Sequence, residues 1–228
     1  MRGVFVMLGM LFPMSIWAQI QKSASYYYQD PQVFLSSSSL HRTLDFTVVD
    51  YDLLQAAVFH LTNLERMKAG KSPLLPSQEA INSASGHAAD MVSHNFYGHT
   101  IPIRFRRTLR DRLDRSGINP QYIGENILST HGIQYREGQK VRKPVRSGEF
   151  RYMNASQSAP IPPHTYFSLA ESMVKLWMNS PSHRQNILNP VFTHMGCGAK
   201  IYFDKNFYGM PYFKVVQNFF GQQVSPKP

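Results

Sequence analysis

Apolar residues recur at three- and four-residue spacing along residues 54–67 and predict the first long helix of the chain. The positions are Leu54, Ala57, Val58, Leu61, Leu64 and Met67, which share one side of a helix. Gly70 follows them, and glycine is common just after a helix because it adopts the left-handed conformation without strain. We therefore expect a helix that begins near Asp50 and ends before Gly70.

Two further helices are predicted by the same kind of pattern. The second should be capped by Ser77 and end near Ser93, with an inner face of Ile81, Ala84, Ala88 and Met91. The third is predicted from Ser168 and Glu171, which have the spacing of a capping box and precede Met173, Leu176 and Trp177. This helix should end before Ser180.

The C-terminal part of the chain predicts strands instead. Residues 195–203 and 212–220 are runs that contain glycine, aromatic residues and valine, and the polar residues 204–206 separate them. This arrangement predicts an antiparallel hairpin. A shorter helix is expected at residues 105–115, where Gly117 closes the following turn.

Composition divides the chain into segments. The length of 228 residues favours one domain. We predict a signal peptide at residues 1–18, a tether rich in Ser, Tyr and Gln at 19–49, and a domain at 50–222. Residues 132–165 are rich in Gly, Pro, Arg and Ser, and we expect them to form a long, irregular basic insertion in that domain.

The first 18 residues have the three-part organisation of a secretory signal peptide. Arg2 precedes an apolar stretch from Gly3 to Trp17, and the small residue Ala18 ends it. The alternative is a membrane anchor, but the run is shorter than the roughly 20 residues needed to span a bilayer, and Pro13 interrupts it. We expect cleavage after Ala18, a secreted, periplasmic or cell-envelope protein, and no transmembrane segment in the mature chain.

Cys197 is the single cysteine of the chain. It excludes an internal disulfide, and no cysteine stands at the cleavage point to carry a lipid. An exported protein without disulfides favours a bacterial source, because eukaryotic secreted domains of this size usually contain several. Since Cys197 lies between Gly196 and Gly198 in a predicted strand, we expect a buried, inert thiol.

Basic residues are concentrated in two segments of a chain whose net charge is +10. Residues 100–115 hold six arginines against two aspartates, and residues 134–153 hold six basic residues against two glutamates. Such segments favour an anionic lipid surface or cell-wall polymer as partner, although a solvated face that maintains solubility explains them equally well. Nucleic acid is not an expected partner, because the chain has no aromatic-basic recognition motif.

Common catalytic motifs are absent from the sequence. It contains no HExxH, CxxC or GxSxG pattern, which excludes the commonest metalloprotease, thiol-redox and serine-hydrolase signatures. Gly70, Lys71 and Ser72 match the end of a phosphate-binding loop, but Glu65 stands where that loop requires glycine. The chemistry must therefore depend on another arrangement of residues.

Several short motifs occur in an order typical of one protein family. They are Asn63-Leu64-Glu65-Arg66, His87-Ala88-Ala89-Asp90-Met91, Asn95-Phe96-Tyr97-Gly98-His99, Gly124-Glu125-Asn126-Ile127, the run from Trp177 to Leu188, and Met195-Gly196-Cys197-Gly198. Together they resemble the CAP superfamily, named for cysteine-rich secretory proteins, antigen 5 and pathogenesis-related 1 proteins (the SCP-like domain), in its short bacterial form. The resemblance extends over about residues 54–220.

The resemblance implies an α+β fold, a three-layer α-β-α sandwich with a mostly antiparallel central sheet. It also implies an exposed ligand-binding cleft lined by His99, Glu125 and His183. Eukaryotic members have a second acidic residue three positions after the tryptophan, and here that position is Ser180. We do not expect Glu171 to replace it, because a capping box explains Glu171. A mechanism that needs two carboxylates, such as glycoside hydrolysis, is therefore not favoured.

Two imidazoles and one carboxylate suit a divalent metal such as zinc. If His99, Glu125 and His183 converge as the resemblance implies, they leave coordination positions open for water or a ligand. We treat metal binding as optional and assign no catalytic residue. Packing or hydrogen bonding is the expected role of the competing histidines, His87, His94 and His194.

Three hypotheses for function follow from the resemblance. The favoured one is an exported CAP-domain protein that binds an envelope or extracellular ligand, a lipid or cell-wall fragment, in the cleft. The first alternative is a metal-dependent hydrolase of peptide or cell-wall substrates, in which the cleft activates water. The second is a structural or adhesive envelope protein that acts through its tether and basic insertion. The family has no single enzymatic activity, so we expect binding rather than catalysis.

Overall fold

A computed structural model describes residues 25–146, 148–153 and 159–222. Its centre is a four-stranded sheet in the order β1-β5-β6-β2, and β3 and β4 form a separate pair. The strands are β1 (Leu75–Pro76), β2 (Tyr122–His131), β3 (Val141–Arg142), β4 (Arg151–Tyr152), β5 (His194–Asp204) and β6 (Met210–Gly221). Strand β1 runs parallel to β5, whereas the other pairs are antiparallel, which confirms the predicted C-terminal hairpin.

Helices cover both faces of the sheet. They are α1 (Pro31–Leu35), α2 (Ser38–His41), α3 (Tyr51–Lys68), α4 (Gln78–Ser93), α5 (Leu109–Arg115), α6 (Tyr166–Asn179) and α7 (Pro181–Leu188). The three predicted long helices correspond to α3, α4 and α6, and α5 is shorter than expected. Helix α7 was not predicted, because its buried residue is Ile187 and it therefore lacks an apolar periodicity.

The sheet separates two layers of helices. On one face, Val215 belongs to the main hydrophobic core together with Trp177 of α6. On the other face, Val216 packs with Ala84 and Ala88 of α4. Because adjacent strand residues point to opposite faces, one helical layer lies on each side. The fold is an α+β, three-layer α-β-α sandwich, as the resemblance implied.

Two glycines of β5 allow the backbone of α4 to pack directly against the backbone of the sheet. A Cβ added at Gly196 would lie 2.1 Å from the backbone nitrogen of Ile81, and one at Gly198 would lie 2.2 Å from the backbone of Ala84. Cys197 between them is buried in the core on the opposite face, as predicted, and burial raises the pKa of its thiol. A thiol that stays protonated is a poor nucleophile.

The predicted ends of α3 and α4 are confirmed. The Asp50 side chain caps α3 by accepting from the backbone nitrogen of Leu53, and Gly70 follows the helix with φ +69°. Ser77 caps α4 by accepting from the backbone nitrogen of Ala80, and the helix ends at Ser93. Local capping chemistry was therefore sufficient to define both helices.

The predicted capping box of α6 is wrong by one turn. Thr165 is the N-cap, and its side chain and that of Ser168 bond reciprocally to the backbone at the start of the helix. Glu171 therefore lies in the second turn, outside the capping interactions. Thr165 and Ser168 have the same three-residue spacing as Ser168 and Glu171. The first pair forms the cap, because Thr165 is the extended residue that directly precedes the helix.

Residues 25–49, the described part of the tether predicted at 19–49, pack against the core of the domain. They contain α1 and α2, and Phe34 and Leu40 from these helices are buried in the main core. Asp30 caps α1 through its carboxylate, and the Phe34 ring lies 4.6 Å from the ring of His60 on α3. Phe34 and Leu40 lie in a serine-rich segment that has too few other apolar residues to form a periodic pattern, so the sequence did not indicate their burial.

The basic insertion at residues 132–165 contains little regular structure in its described part, with the short strands β3 and β4 paired there. It nevertheless encloses a small apolar cluster of its own, formed by Ile133, Val141, Phe150 and Ile161 together with Met210 of β6. This cluster attaches the insertion to the end of the central sheet. Residues 147 and 154–158 of the insertion lie outside the described residues.

The predicted signal peptide at residues 1–18 also lies outside the described residues. Within the described ranges, no helix combines the length and the apolar character needed to cross a membrane.

Candidate functional site

A buried glutamate on the central sheet forms the base of the site. Glu125 lies on β2 opposite Asn218 of β6, and its side chain is 4% exposed. Gly124 precedes it because an added Cβ would meet the ring of Phe192 at 2.7 Å and the side chain of Asn186 at 3.3 Å. The glycine thus lets α7 and the segment that follows it pack directly against β2, the strand that carries the glutamate.

Arg112 is the closest charged partner of Glu125. Its Nη2 lies 2.6 Å from Oε2, and the two side chains are only 3% and 4% exposed. Arg112 also donates to the backbone oxygen of His99 at 3.2 Å. With its amide oriented to satisfy its neighbours, Asn218 donates to the same Oε2 at 3.0 Å. Two groups therefore hold the side chain of Glu125 at a defined position.

His99 contacts the other oxygen of this carboxylate. Its Nδ1 lies 2.9 Å from Glu125 Oε1, while 55% of its side chain is exposed. The hydrogen bond to Glu125 raises the pKa of His99, although partial burial opposes that shift. Because a carboxylate accepts, Nδ1 carries the proton and Nε2 is left for contact with a ligand.

His183 lies beside this pair on α7. Asn126 Nδ2 donates to its backbone oxygen at 3.1 Å, and Asn186 Nδ2 donates to the backbone oxygen of Glu125 at 3.2 Å. These amide contacts link α7 to β2 and position the histidine at the cleft. Burial, and then the charge of nearby His99, lowers the pKa of His183. His99 and Glu125 are thus in direct contact, and His183 lies near enough to feel the charge of His99, while their common role as a binding cleft stays a prediction.

The pKa values of the two histidines are shifted in opposite directions because their surroundings differ. The shift at His99 favours its imidazolium form, whereas the shift at His183 favours the neutral ring. Environments that separate two pKa values in this way provide one charged donor and one neutral ring that can accept. The cleft can therefore bind a ligand through a hydroxyl or an oxyanion.

The geometry gives no support to the optional zinc site of His99, Glu125 and His183. Among the described residues, no three His, Cys, Asp or Glu side chains are grouped so that they could hold a metal ion. The physical reason is that both oxygens of Glu125 are already engaged, by Arg112 and by His99. A cation bound there would also face the fixed positive charge of the guanidinium.

Neither Ser180 nor Glu171 supplies the second acidic residue of the eukaryotic pattern. Ser180 lies at the junction of α6 and α7, where it ends one helix and begins the next. Glu171 lines a groove between α3 and α6 with Glu65 and Lys68, away from Glu125. In the part of the chain that the structure describes, Glu125 is therefore the one carboxylate found at this site, and Arg112 compensates it.

His87 was expected to be an ordinary packed histidine, and it is fully buried. Its Nε2 lies 3.0 Å from the backbone oxygen of Gly98 and 4.0 Å from Glu125 Oε1. Burial is the largest influence on its pKa, which is lowered. His87 is therefore part of the surroundings of Glu125, which its spacing along the chain did not indicate.

Arg112 was the main omission of the sequence interpretation. It is one of six arginines in residues 100–115, and nothing local distinguishes it from the others. The structure also pairs Arg106 with Asp90 at 3.3 Å. Part of this basic segment therefore belongs to the interior of the molecule and is not a solvated face.

Comparisons with known proteins agree with this architecture. The model of the "Cysteine-rich secretory protein family" (CAP) matches residues 59–219. The uncharacterized protein YkwD of Bacillus subtilis is 33% identical over 141 residues, 62% of this chain and 40% of that protein. The uncharacterized membrane protein YlbC of the same organism is 26% identical over 151 residues, 66% of this chain and 33% of that protein. The chain thus spans less than half the length of these curated relatives.

A solved structure is also similar to the chain. It is an extracellular protein containing a SCP domain from Bacillus anthracis, with 26% identity and a TM-score of 0.48, and the match covers 75% of this chain and 41% of that one.

Proposed function

The chain belongs to the cysteine-rich secretory protein family, and from that premise we propose that it is an exported member that binds an envelope or extracellular ligand, a lipid or a cell-wall fragment. The binding site in this proposal is the cleft of His99, Glu125 and His183. Export is supported by the signal-like organisation of residues 1–18 and implies a secreted, periplasmic or cell-envelope location.

The observation that carries the proposal is an exposed histidine attached to a buried ion pair. Burying Glu125 and Arg112 together costs desolvation energy, and such a pair is weak grounds for inferring stability alone. Glu125 of this pair fixes the ring of half-exposed His99 through a hydrogen bond that also raises the pKa of the histidine. Perturbed titratable groups held in an exposed cleft are typical of functional sites.

The charges of the cleft indicate which part of the ligand enters it. Arg112 compensates Glu125, so the positive charge favoured on His99 is available to a ligand oxygen. Neutral His183 beside it suits a hydroxyl. Hydroxyl groups and charged oxygens occur both in lipid headgroups and in fragments of cell-wall glycans. The metal-dependent hydrolase alternative has no support from this geometry.

The experiment compares ligands that accompany the protein from its own envelope. The native protein and the His99→Ala/His183→Ala variant are purified from that source, and bound lipids and glycans are identified by mass spectrometry. We expect one class of molecule to accompany the native protein and to be reduced at least about tenfold in the variant, because two contacts to its polar group are lost.

His94→Ala is the matched control. This exposed histidine at the end of α4 makes its hydrogen bonds to Ser93 and to the backbone of Asp90. The control should retain the ligand. Equal recovery of ligand from the double variant would reject the cleft as the site, and native protein with Met1 as its first residue in the cytoplasm would reject export.

A further inference from the structure

A second cavity, of about 330 Å³, lies between α4 and the α5 segment, behind the base of the cleft. One side is formed by Gly86, His87 and Asp90, which share a face of α4, and the other by Arg106, Arg112 and Arg115. Its volume is near the lower end of the range of about 300–1,000 Å³ usual for small-molecule sites. It shares His87 and Arg112 with the surroundings of Glu125 but does not include His99 or His183.

Buried polar atoms around this cavity have no protein partner. Within the described ranges they are His87 Nδ1, Asp90 Oδ2 and Arg112 Nε, each without a hydrogen bond. The side chains of His87, Asp90 and Arg112 are 0%, 8% and 3% exposed. Since a buried polar group without a partner costs about 1–3 kcal/mol, three of them around one cavity indicate a polar occupant.

The chemistry of these atoms defines what the occupant must offer. His87 Nε2 faces a backbone oxygen, which can only accept, so Nε2 carries the proton and Nδ1 of the neutral ring is an acceptor. Asp90 Oδ2 is a second acceptor, because Arg106 pairs with Oδ1. Arg112 Nε is a donor. The occupant must therefore supply hydrogen-bond donors as well as acceptors.

The charges add a further requirement. Three guanidinium groups and one carboxylate line the cavity, and of these Arg112 is compensated by Glu125 and Arg106 by Asp90. Arg115 remains as a positive charge at its edge. The balance favours an anion, and guanidinium groups match the geometry of tetrahedral oxyanions.

We propose that this cavity binds a phosphate group that retains a proton, either as hydrogen phosphate or as the monoester of a small molecule. Its oxygens accept from the arginines, and its O–H donates to Asp90 Oδ2 or His87 Nδ1. Sulfate has the same shape but carries no proton at neutral pH, so it places bare oxygens against both acceptors. A site with buried acceptors therefore discriminates between the two anions.

Gly86 offers a way to close the cavity without disturbing the fold. It lines the cavity, and a Cβ added there meets no atom within 4 Å. Gly86→Met should therefore place a long apolar side chain in the space that the phosphate occupies. Ala89→Met, at a half-exposed position of α4 that does not line the cavity, is the matched control.

The test is calorimetric titration of the purified full-length protein with phosphate and with sulfate at equal ionic strength. A pH of about 6 is suitable because phosphate monoesters are then partly protonated. We expect phosphate to bind the native protein and Ala89→Met at least about tenfold more tightly than sulfate. Gly86→Met should lose phosphate binding at least about tenfold while keeping its melting temperature. Asp90→Asn should reduce the preference for phosphate, because an amide can donate to a bare oxygen.

The source of the phosphate group is distinguished by two further ligands, glycerol 3-phosphate in solution and phosphatidic acid in phosphatidylcholine vesicles. Tighter binding of one of them to the native protein but not to Gly86→Met identifies the source and supports the proposal. Absence of phosphate binding, equal affinity for sulfate, or undiminished binding by Gly86→Met would each overturn it. Since His99 and His183 remain intact in these variants, the outcome is independent of the proposed cleft function.

Discussion

Helix α4 has two sides that are packed in opposite ways. Against the sheet, Cβ atoms added at Gly196 and Gly198 would lie within 2.1–2.2 Å of the backbone of the helix. Towards α5, an added Cβ at Gly86 meets nothing within 4 Å. Glycine therefore permits close contact on one side of the helix, whereas on the other it borders open space.

The polarity of the two sides differs in the same way. The sheet side joins Ala84, Ala88 and Met91 to apolar residues of β2 and β6. The α5 side has buried polar atoms of His87 and Asp90 without a protein partner. Tight apolar packing supports the fold, while unsatisfied polar groups are retained where a ligand can use them. The ion pair of Glu125 and Arg112 lies at the boundary between these two regions.

The largest expected effect is on the tight side. Gly198→Ala places a methyl group in the space of the Ala84 and Ser85 backbone, so α4 must move away from the sheet. We expect a loss of about 5 kcal/mol or more in the free energy of unfolding, beyond the usual range for overpacking, because the methyl group meets backbone atoms that cannot rotate aside. Urea unfolding followed by circular dichroism measures it. A loss below about 1 kcal/mol would show that this contact is less rigid than described.

The second largest loss of stability is expected at the ion pair of Glu125 and Arg112. Arg112→Met removes one partner of a buried ion pair and leaves the carboxylate of Glu125 uncompensated, which should cost about 3–5 kcal/mol. Adding Glu125→Gln should recover part of that loss, since the uncompensated charge is then removed. A double-mutant cycle by urea unfolding gives the coupling. Strictly additive losses would mean that the two residues do not stabilise each other.

A small gain is expected on the open side. Gly86→Ala should raise the free energy of unfolding by about 1 kcal/mol, because alanine is the better helix former and its methyl group meets no neighbour. The same unfolding measurement, made beside Gly198→Ala, contrasts the two sides with one kind of substitution. A loss of stability in Gly86→Ala would contradict the open geometry.

The smallest effect concerns pH and His99. Its folded pKa is raised, so its bond to Glu125 contributes stability that is fully present below the unfolded value of about 6.5 and is lost as pH rises through the folded pKa. Because the ring is 55% exposed, the contribution should stay below about 1 kcal/mol. His99→Ala should therefore lose less stability at about pH 8.5 than at about pH 5.5. An equal loss at both pH values would exclude this linkage.

Local pattern was sufficient for several elements and misleading for others. The periodicities and caps at Asp50 and Ser77 defined α3 and α4, because a helix end depends on residues close in sequence. The same reasoning chose the wrong cap for α6 and missed the helix that carries His183. It also described residues 25–49 as a tether, since the burial of Phe34 and Leu40 depends on partners far along the chain.

The motifs in the sequence were sufficient to identify the family and, through that resemblance, the sandwich fold. The same resemblance assigned His99, Glu125 and His183 to a cleft, and that assignment stays a prediction. The tertiary structure alone decided which charged groups meet at the site. Arg112 reaches Glu125 from a segment in which six arginines look alike, and this contact places an ion pair at the base of the site. The cavity beside α4 is likewise a product of packing between elements. Electrostatic energy depends on distance and burial, and neither can be read from the sequence without the folded structure.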